Sequence, residues 1–270
     1  MNIPRIGLGT FRLQGAQAID SVRNGLELGY RHIDTAQVYG NEAEVGAAIK
    51  TAGMRTGAAR DALFVTTKVW TEHLKAERVI PSLKDSLHKL GLERLDLALI
   101  HWPSPGAAVP VAESMAALLE ARKQGLTGSI GVSNFTVALL QEAIDAVGAD
   151  NIATNQVELH PFLQNRTLAA FMRDAGIHLT AYMPLAYGKA ILDPTIARIA
   201  QEREAAPAQV TLAWLMAKGY AVIPSSTRRA NLAANLAADN VALAPEHVAA
   251  IDALERGERL VDPDFAPRWD

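Results

Sequence analysis

The sequence predicts an α/β fold: a single (β/α)8 barrel over residues 1–270, with an extra C-terminal helix and a short C-terminal tail. Three observations carry that expectation. Short apolar runs alternate with helical patterns, most helical patterns stop at a glycine, and no break in composition divides the chain.

Residues 6–9 open the series as the first strand. Ile19, Val22 and Leu26 share a helical face, and Gly29 follows as a left-handed cap. Strands are expected at 31–34 and 63–68. Leu83, Leu87 and Leu90 repeat the helical spacing before Gly91, and the strand 95–101 comes next. Leu118 and Leu119 precede Gly125 and the strand 128–133; Leu140, Ile144 and Val147 precede Gly148 and the strand 153–157. Phe171, Met172 and Ala175 lead to Gly176 and the strand 178–182, while Val210, Trp214 and Ala217 lead to Gly219 and the strand 221–223. Between Leu95 and Ile100 only Asp96 is polar, the pattern of a parallel strand covered on both faces. A doubly wound open sheet shares this alternation but calls for G-x-G-x-x-G after the first strand. Here Gly7-Leu8-Gly9-Thr10-Phe11-Arg12 lacks the third glycine, and no Walker glycine-lysine-serine string occurs. The barrel is the better reading.

Composition narrows the function. With 26 basic and 29 acidic side chains the formal net charge is −3, and no segment is strongly basic, so no nucleic-acid partner is expected. The absence of cysteine removes disulfides, thiolate zinc sites and thiol nucleophiles, and suits a reducing compartment. Residues 1–5 lack the features of a signal peptide. No apolar run approaches the roughly 18 residues of a membrane span. A cytoplasmic protein without membrane contact is expected, and the N-x-[ST] strings at 134–136 and 165–167 read as chance.

In such a barrel the C-terminal ends of the strands converge on one mouth. Asp34, Lys68 and His101 end the second, third and fourth predicted strands; Ser133 and Asn134 end the fifth, Gln156 lies in the sixth and Tyr182 ends the seventh. Each alone has a plain structural explanation, such as a helix cap for Asp34 or a solvated end for Lys68. Gathered at one mouth they mark a candidate site. One acid, one imidazole and a lysine are thin for a metal. A Schiff-base lysine must lose its proton, whereas Asp34 beside Lys68 favours the ammonium. A permanent cation instead suits a neighbouring acid, and Tyr39 stands five residues after Asp34. The expectation is that Lys68 lowers the Tyr39 phenol from its usual value near 10, making it a proton donor to a carbonyl oxygen that His101 orients. Nothing in this quartet supplies hydride, so a reduction requires a bound nicotinamide.

These residues lie in strings that resemble the aldo-keto reductase family. The segment 29–42, GYRHIDTAQVYGNE, resembles its first signature, Thr66-Thr67-Lys68-Val69-Trp70 its lysine strand and Ile100-His101-Trp102-Pro103 its histidine strand. Gly131-Val132-Ser133-Asn134-Phe135 and Asn155-Gln156-Val157-Glu158-Leu159-His160-Pro161 match further segments, and the matches run from Gly7 to about Asn235. The resemblance implies Tyr39 as acid, tuned by Lys68 and Asp34, with His101 positioning the carbonyl. It implies Ser133, Asn134 and Gln156 on the nicotinamide carboxamide, Tyr182 under the ring, and Pro184 and Leu185 over the pyrophosphate. Thr10, Ile223, Pro224, Ser225, Ser226, Thr227 and Asn235 complete the implied cofactor set. The family often has isoleucine-proline-lysine-serine with an arginine five residues on; here Ser225 replaces the lysine and Asn231 the arginine. Arg228 and Arg229 are assigned to the 2′-phosphate instead, so NADPH is preferred over NADH.

The resemblance also implies an apolar pocket of Phe11, Val38, Trp70, Trp102 and Trp269, and a monomer acting on a small carbonyl compound. The segment before Ile6 is too short for a hairpin under the barrel, and the tail from Arg259 to Asp270 implies an abbreviated lid. Both features are similar to the shorter bacterial members, which act on keto-sugar acids such as 2,5-diketo-gluconate and on methylglyoxal. Two alternatives stay open: a nicotinamide-binding barrel that is catalytically silent, and a lysine-dependent aldolase.

Overall fold

A computed structural model describes residues 3–270. Eight strands form one parallel sheet in sequential order: β1 (Leu8–Gly9), β2 (His32–Asp34), β3 (Phe64–Val69), β4 (Leu95–Ile100), β5 (Thr127–Ser133), β6 (Ile152–Glu158), β7 (His178–Tyr182) and β8 (Ala221–Val222). The sheet curls back on itself. Ile6 bridges Val222 in parallel, and the amides of Gly7 and Gly9 donate to the carbonyls of Val222 and Pro224 at 2.8 and 3.1 Å. Pairing the last strand with the first in this way covers both sheet edges.

Helices separate the strands, as parallel connections require. α1 (Gly15–Leu28) follows β1, and α2 (Glu42–Thr51) and the short α3 (Gly57–Asp61) follow β2. α4 (Ala76–Leu90), α5 (Val111–Lys123), α6 (Val137–Val147) and α7 (Arg166–Asp174) follow the next four strands. α8 (Pro194–Glu202) and α9 (Pro207–Ala217) lie between β7 and β8, and α10 (Arg229–Leu236) and α11 (Pro245–Asp252) come after β8. Gly29 ends α1 at φ 110°, ψ 7°, where a side chain would be strained. Gly148 departs from the expected cap: at φ 83°, ψ 143° it leaves the helical region and leads into a 3-10 turn. No helix among the described residues is long and apolar enough to cross a membrane.

Strand alternation divides the core. Outward residues such as Ile33, Val65, Ala98, Ile100 and Val132 pack under Val22, Leu83, Leu118 and Leu140 of the helices. Burying one such leucine contributes about 1.5–3 kcal/mol. Inside, Ile3, Leu97, Leu99 and Ala221 form a separate cluster with Phe64 and Ala153 against it, filling the N-terminal end of the barrel. Lys68 is in register with Leu99, and Leu99 with Gly131. A Cβ on Gly131 would lie 2.5 Å from the Thr154 carbonyl oxygen and 2.9 Å from Leu99 Cδ2, so glycine lets β5 and β6 close beside Leu99.

Candidate active site

Alternation along four strands turns Asp34, Lys68, Gln156 and Tyr182 to the interior at the C-terminal end. Lys68 Nζ lies 2.5 Å from Asp34 Oδ1 and 3.0 Å from the Thr35 carbonyl, with Tyr39 Oη at 3.4 Å. Asp34 Oδ2 accepts from Gln156 Nε2 at 2.8 Å. Both charged side chains are 1% exposed. Buried ions persist only when paired and hydrogen-bonded, and here each has more than one partner. Tyr39 closes the 3-10 turn Gln37–Tyr39; Gln14 Nε2 donates to its carbonyl at 2.7 Å, and its ring meets Phe11 and His101 at 5.1 and 5.6 Å.

The electrostatics differ in one respect from the sequence expectation. Burial works against the Lys68 charge, but Asp34 and then Tyr39 outweigh it and the net direction is upward, so the ammonium is kept. Burial pushes the Tyr39 phenol up; Lys68 pulls it down without prevailing. The expected net lowering of Tyr39 is therefore corrected. Tyr39 is a neutral phenol at neutral pH, and Lys68 moderates the cost of losing its proton. Burial, then Lys68, holds the His101 imidazole well below its ordinary value, so it is uncharged. Its Nδ1 is buried without a partner. An orphaned acceptor is less costly than an orphaned N–H, which favours the tautomer with the proton on Nε2.

A shelf of amides adjoins this group. Ser133 Oγ donates to the Gln156 carbonyl at 2.7 Å, and Asn134 Nδ2 donates to the His101 carbonyl at 3.0 Å and to Ser133 Oγ at 3.1 Å. Tyr182 donates its hydroxyl proton to Asn134 Oδ1 at 2.7 Å. Burial and then the Glu158 carboxylate push the Tyr182 phenol well up, so it too stays protonated.

Above these residues opens a cleft of about 930 Å³. Of the residues assigned from sequence, Asp34, Tyr39, His101, Asn134, Gln156 and Tyr182 line it, with Phe11, Val38, Trp70 and Trp102 as apolar walls. Pro184, Leu185, Ile223, Pro224, Ser225, Ser226 and Thr227 border the rest. Lys68 lies beneath, reaching the site through Asp34 and Tyr39.

Besides Lys68, six assigned residues are not among those lining the cleft. Thr10 donates its hydroxyl to the Asp34 carbonyl at 3.0 Å and ties β1 to β2. Ser133 is buried behind Asn134, and Asn235 is buried in α10. Arg228 is exposed, and Arg229 turns to α1, 2.7 Å from Glu27 Oε2 and 2.8 Å from Asn24 Oδ1. Trp269 backs the wall, with its ring 6.0 Å from Trp102.

Other contributors were not read from the sequence. Phe265 stands edge-on to Trp70 and Trp102 at 5.9 and 5.5 Å. Arg12 lies over the rings of Phe11 and Tyr187 at 5.1 and 4.8 Å. Leu260, Val261, Asp262 and Pro263 of the tail form a further wall. The aromatic content of the tail was the available signal for Phe265. Among the described residues, no group of three or more His, Cys, Asp or Glu side chains could hold a metal ion.

What this geometry offers is a protonated phenol beside a fixed ammonium at the floor of an apolar cleft, with a neutral imidazole facing the same space. Comparison with known proteins agrees with that chemistry. The model of the Aldo/keto reductase family matches residues 5–256. The methylglyoxal reductase DkgB of Salmonella typhimurium (strain LT2) is 58% identical over 271 residues, covering 100% of both chains. The Yersinia pestis protein of the same name is 55% identical, again over 100% of both chains. A crystal structure assigned as a 2,5-diketo-D-gluconic acid reductase B superposes with a TM-score of 0.94 at 41% identity, covering 100% of this chain and 94% of that one. The aldose reductase of Schistosoma japonicum gives 0.91 at 30% identity, covering 99% and 95%. The chain belongs to the aldo/keto reductase family and is an oxidoreductase of carbonyl compounds.

Proposed function

We propose that the protein reduces small aldehydes and ketones with NADPH, including methylglyoxal and keto-sugar acids such as 2,5-diketo-gluconate, and that Tyr39 is the proton donor. One observation carries this reading: Lys68 Nζ, held 2.5 Å from Asp34, lies 3.4 Å from Tyr39 Oη at the floor of the cleft.

A nicotinamide dinucleotide fits the residues present. The cleft is at the large end of the range of ligand pockets. Its inner wall presents the uncharged amides of Asn134 and Gln156 and the face of Tyr182, which suit a carboxamide and a planar ring. Its outer border presents Ser225, Ser226 and Thr227, with Arg228 and Arg229 next in sequence. Bound there, the cofactor supplies hydride.

The protein's own groups do the rest. His101, neutral, donates from Nε2 to the carbonyl oxygen and fixes its direction. Tyr39 gives its proton to that oxygen as negative charge develops, and Lys68 stabilises the phenolate left behind. Asp34 keeps Lys68 charged and in place, while Gln156 Nε2 satisfies the other carboxylate oxygen. Phe11, Trp70 and Trp102 exclude water from the reacting carbon. Arg228 and Arg229 are the candidates for the 2′-phosphate. Arg229 must leave Glu27 to reach it, and an exposed pair of this kind is worth only about 0–1 kcal/mol.

The test is purified protein with methylglyoxal or a nitrobenzaldehyde, following NADPH absorbance, with NADPH and NADH affinities titrated in parallel. Aldehyde-dependent oxidation with tighter NADPH binding is expected. Tight cofactor binding without turnover of any aldehyde would point to a silent binder instead, although such a protein has no need of Lys68 beneath Tyr39.

A further inference from the structure

Residues 253–270 contain neither helix nor strand, yet Leu260, Val261 and Pro263 form one wall of the cleft. Backbone without a ladder must find its hydrogen-bond partners elsewhere. Here two of them are the oxygens of one carboxylate. The amides of Leu260 and Val261 donate to Glu158 Oε1 and Oε2, each at 2.8 Å. Glu158 is the last residue of β6, fully buried, and its Oε1 also accepts from His160 Nε2 at 2.9 Å. Asn165 extends the fastening. Its Nδ2 donates to the Glu158 carbonyl at 2.7 Å, and Arg259 donates to its Oδ1 at 3.1 Å.

A carboxylate this deep is costly unless its oxygens are filled, and the tail fills both of them. If the tail swings out, Glu158 Oε2 is left without a partner, Oε1 keeps only His160, and one wall of the cleft is lost. Position of the wall and satisfaction of Glu158 Oε2 are one event.

We propose that Glu158 is a positioning residue of the substrate site, whose carboxylate holds the C-terminal tail as a wall of the cleft and so sets which carbonyl compounds dwell beside Tyr39. This rests on the reductase reading above. Glu158 is then the tie nearest the cleft wall, while the Glu258 amide on the Phe162 carbonyl and the Asp270 carboxylate on the Val137 amide hold the tail before and after it.

Glu158→Gln keeps the side-chain volume but leaves one acceptor where two amides call, with an NH2 facing the other. In the full-length protein with NADPH bound, amide exchange at Leu260 and Val261 should quicken about tenfold or more, the scale of a lost charge-assisted hydrogen bond. KM for a nitrobenzaldehyde should rise about tenfold, by more than kcat falls, while NADPH affinity read by fluorescence titration stays within about twofold. Val261→Pro removes one donor from the tail side without touching the barrel. It should shift exchange at Leu260 and KM the same way, by about threefold to fivefold. Both variants keeping wild-type exchange and wild-type KM would overturn the proposal. Faster exchange with unchanged KM would overturn its claim on substrate selection. A wild-type protein that reduces no carbonyl compound would overturn the reductase reading, and the exchange comparison alone would then decide whether Glu158 holds the tail.

Discussion

On β2, β3, β6 and β7 the interior residues come in pairs two positions apart, and the two levels they define hold polarity differently. At the lower level stand His32, Thr66, Thr154 and Thr180. His32 Nε2 and Thr66 Oγ1 are 3.0 Å apart, and the hydroxyls of Thr154 and Thr180 are 2.9 Å apart. Burial brings the His32 imidazole down to about 4, so the whole level is uncharged at neutral pH. At the upper level the same strands place Asp34, Lys68, Gln156 and Tyr182, and a full ion pair is kept. The lower level is shut by Ile3, Leu97 and Ala221; the upper one opens to the cleft. Of these two levels, the one that faces no cavity is neutral and serves packing, and the one that meets the cleft keeps its ion pair.

The largest effect should come from breaking the charged level. Lys68→Met strands the Asp34 carboxylate, and removing one partner of a buried pair costs about 3–5 kcal/mol, measurable by urea unfolding. Carbonyl reduction should be lost with it. Thr66→Val at the neutral level leaves His32 Nε2 unpaired and should cost less, about 1–3 kcal/mol, with turnover retained. Equal losses of stability would erase the distinction between the levels.

The neutral level should instead reveal itself by pH. In the unfolded chain a histidine takes up a proton near pH 6.5, whereas His32 in the native protein does so only near 4. Above pH 6.5 both states are neutral and nothing is lost. As pH falls from 6.5 towards 4 the unfolded state binds the extra proton, so stability declines, by about 2 kcal/mol between pH 7 and 5 from this residue. His32→Gln should flatten that decline in unfolding free energy. A decline of the same steepness in the variant would assign it to other groups, His101 among them.

The smallest effect lies outside both levels. Arg229→Ala removes an exposed pair with Glu27 and should change stability by no more than about 1 kcal/mol, but weaken NADPH relative to NADH in a titration. An unchanged cofactor preference would leave Arg228 as the remaining candidate of the two.

Much of this arrangement was legible in the sequence because its signals are local. Strand alternation places Asp34, Lys68 and Tyr182 at one end of the barrel, and glycines such as Gly29 stop helices by a backbone angle that few other residues tolerate. What escaped depends on distance and depth. Phe265 reaches Trp70 and Trp102 only because the tail folds back over the mouth. No periodicity announces that Glu158 binds amides more than a hundred residues away. Thr10 and Ser133 carry hydroxyls of the right type, but backbone carbonyls take them. The net direction at Tyr39 is upward because desolvation depends on how deep the phenol sits, which spacing does not encode.

The phenol is also where the account can be tested most directly. Tyr39→Phe deletes one oxygen and leaves Asp34, Lys68 and the aromatic walls in place. Single-turnover reduction of methylglyoxal, measured beside the NADPH dissociation constant, should slow by about 10²–10⁴ while cofactor affinity holds. Reduction at the wild-type rate would mean that the proton reaches the carbonyl oxygen by another route, and that Lys68 is not there to serve this tyrosine.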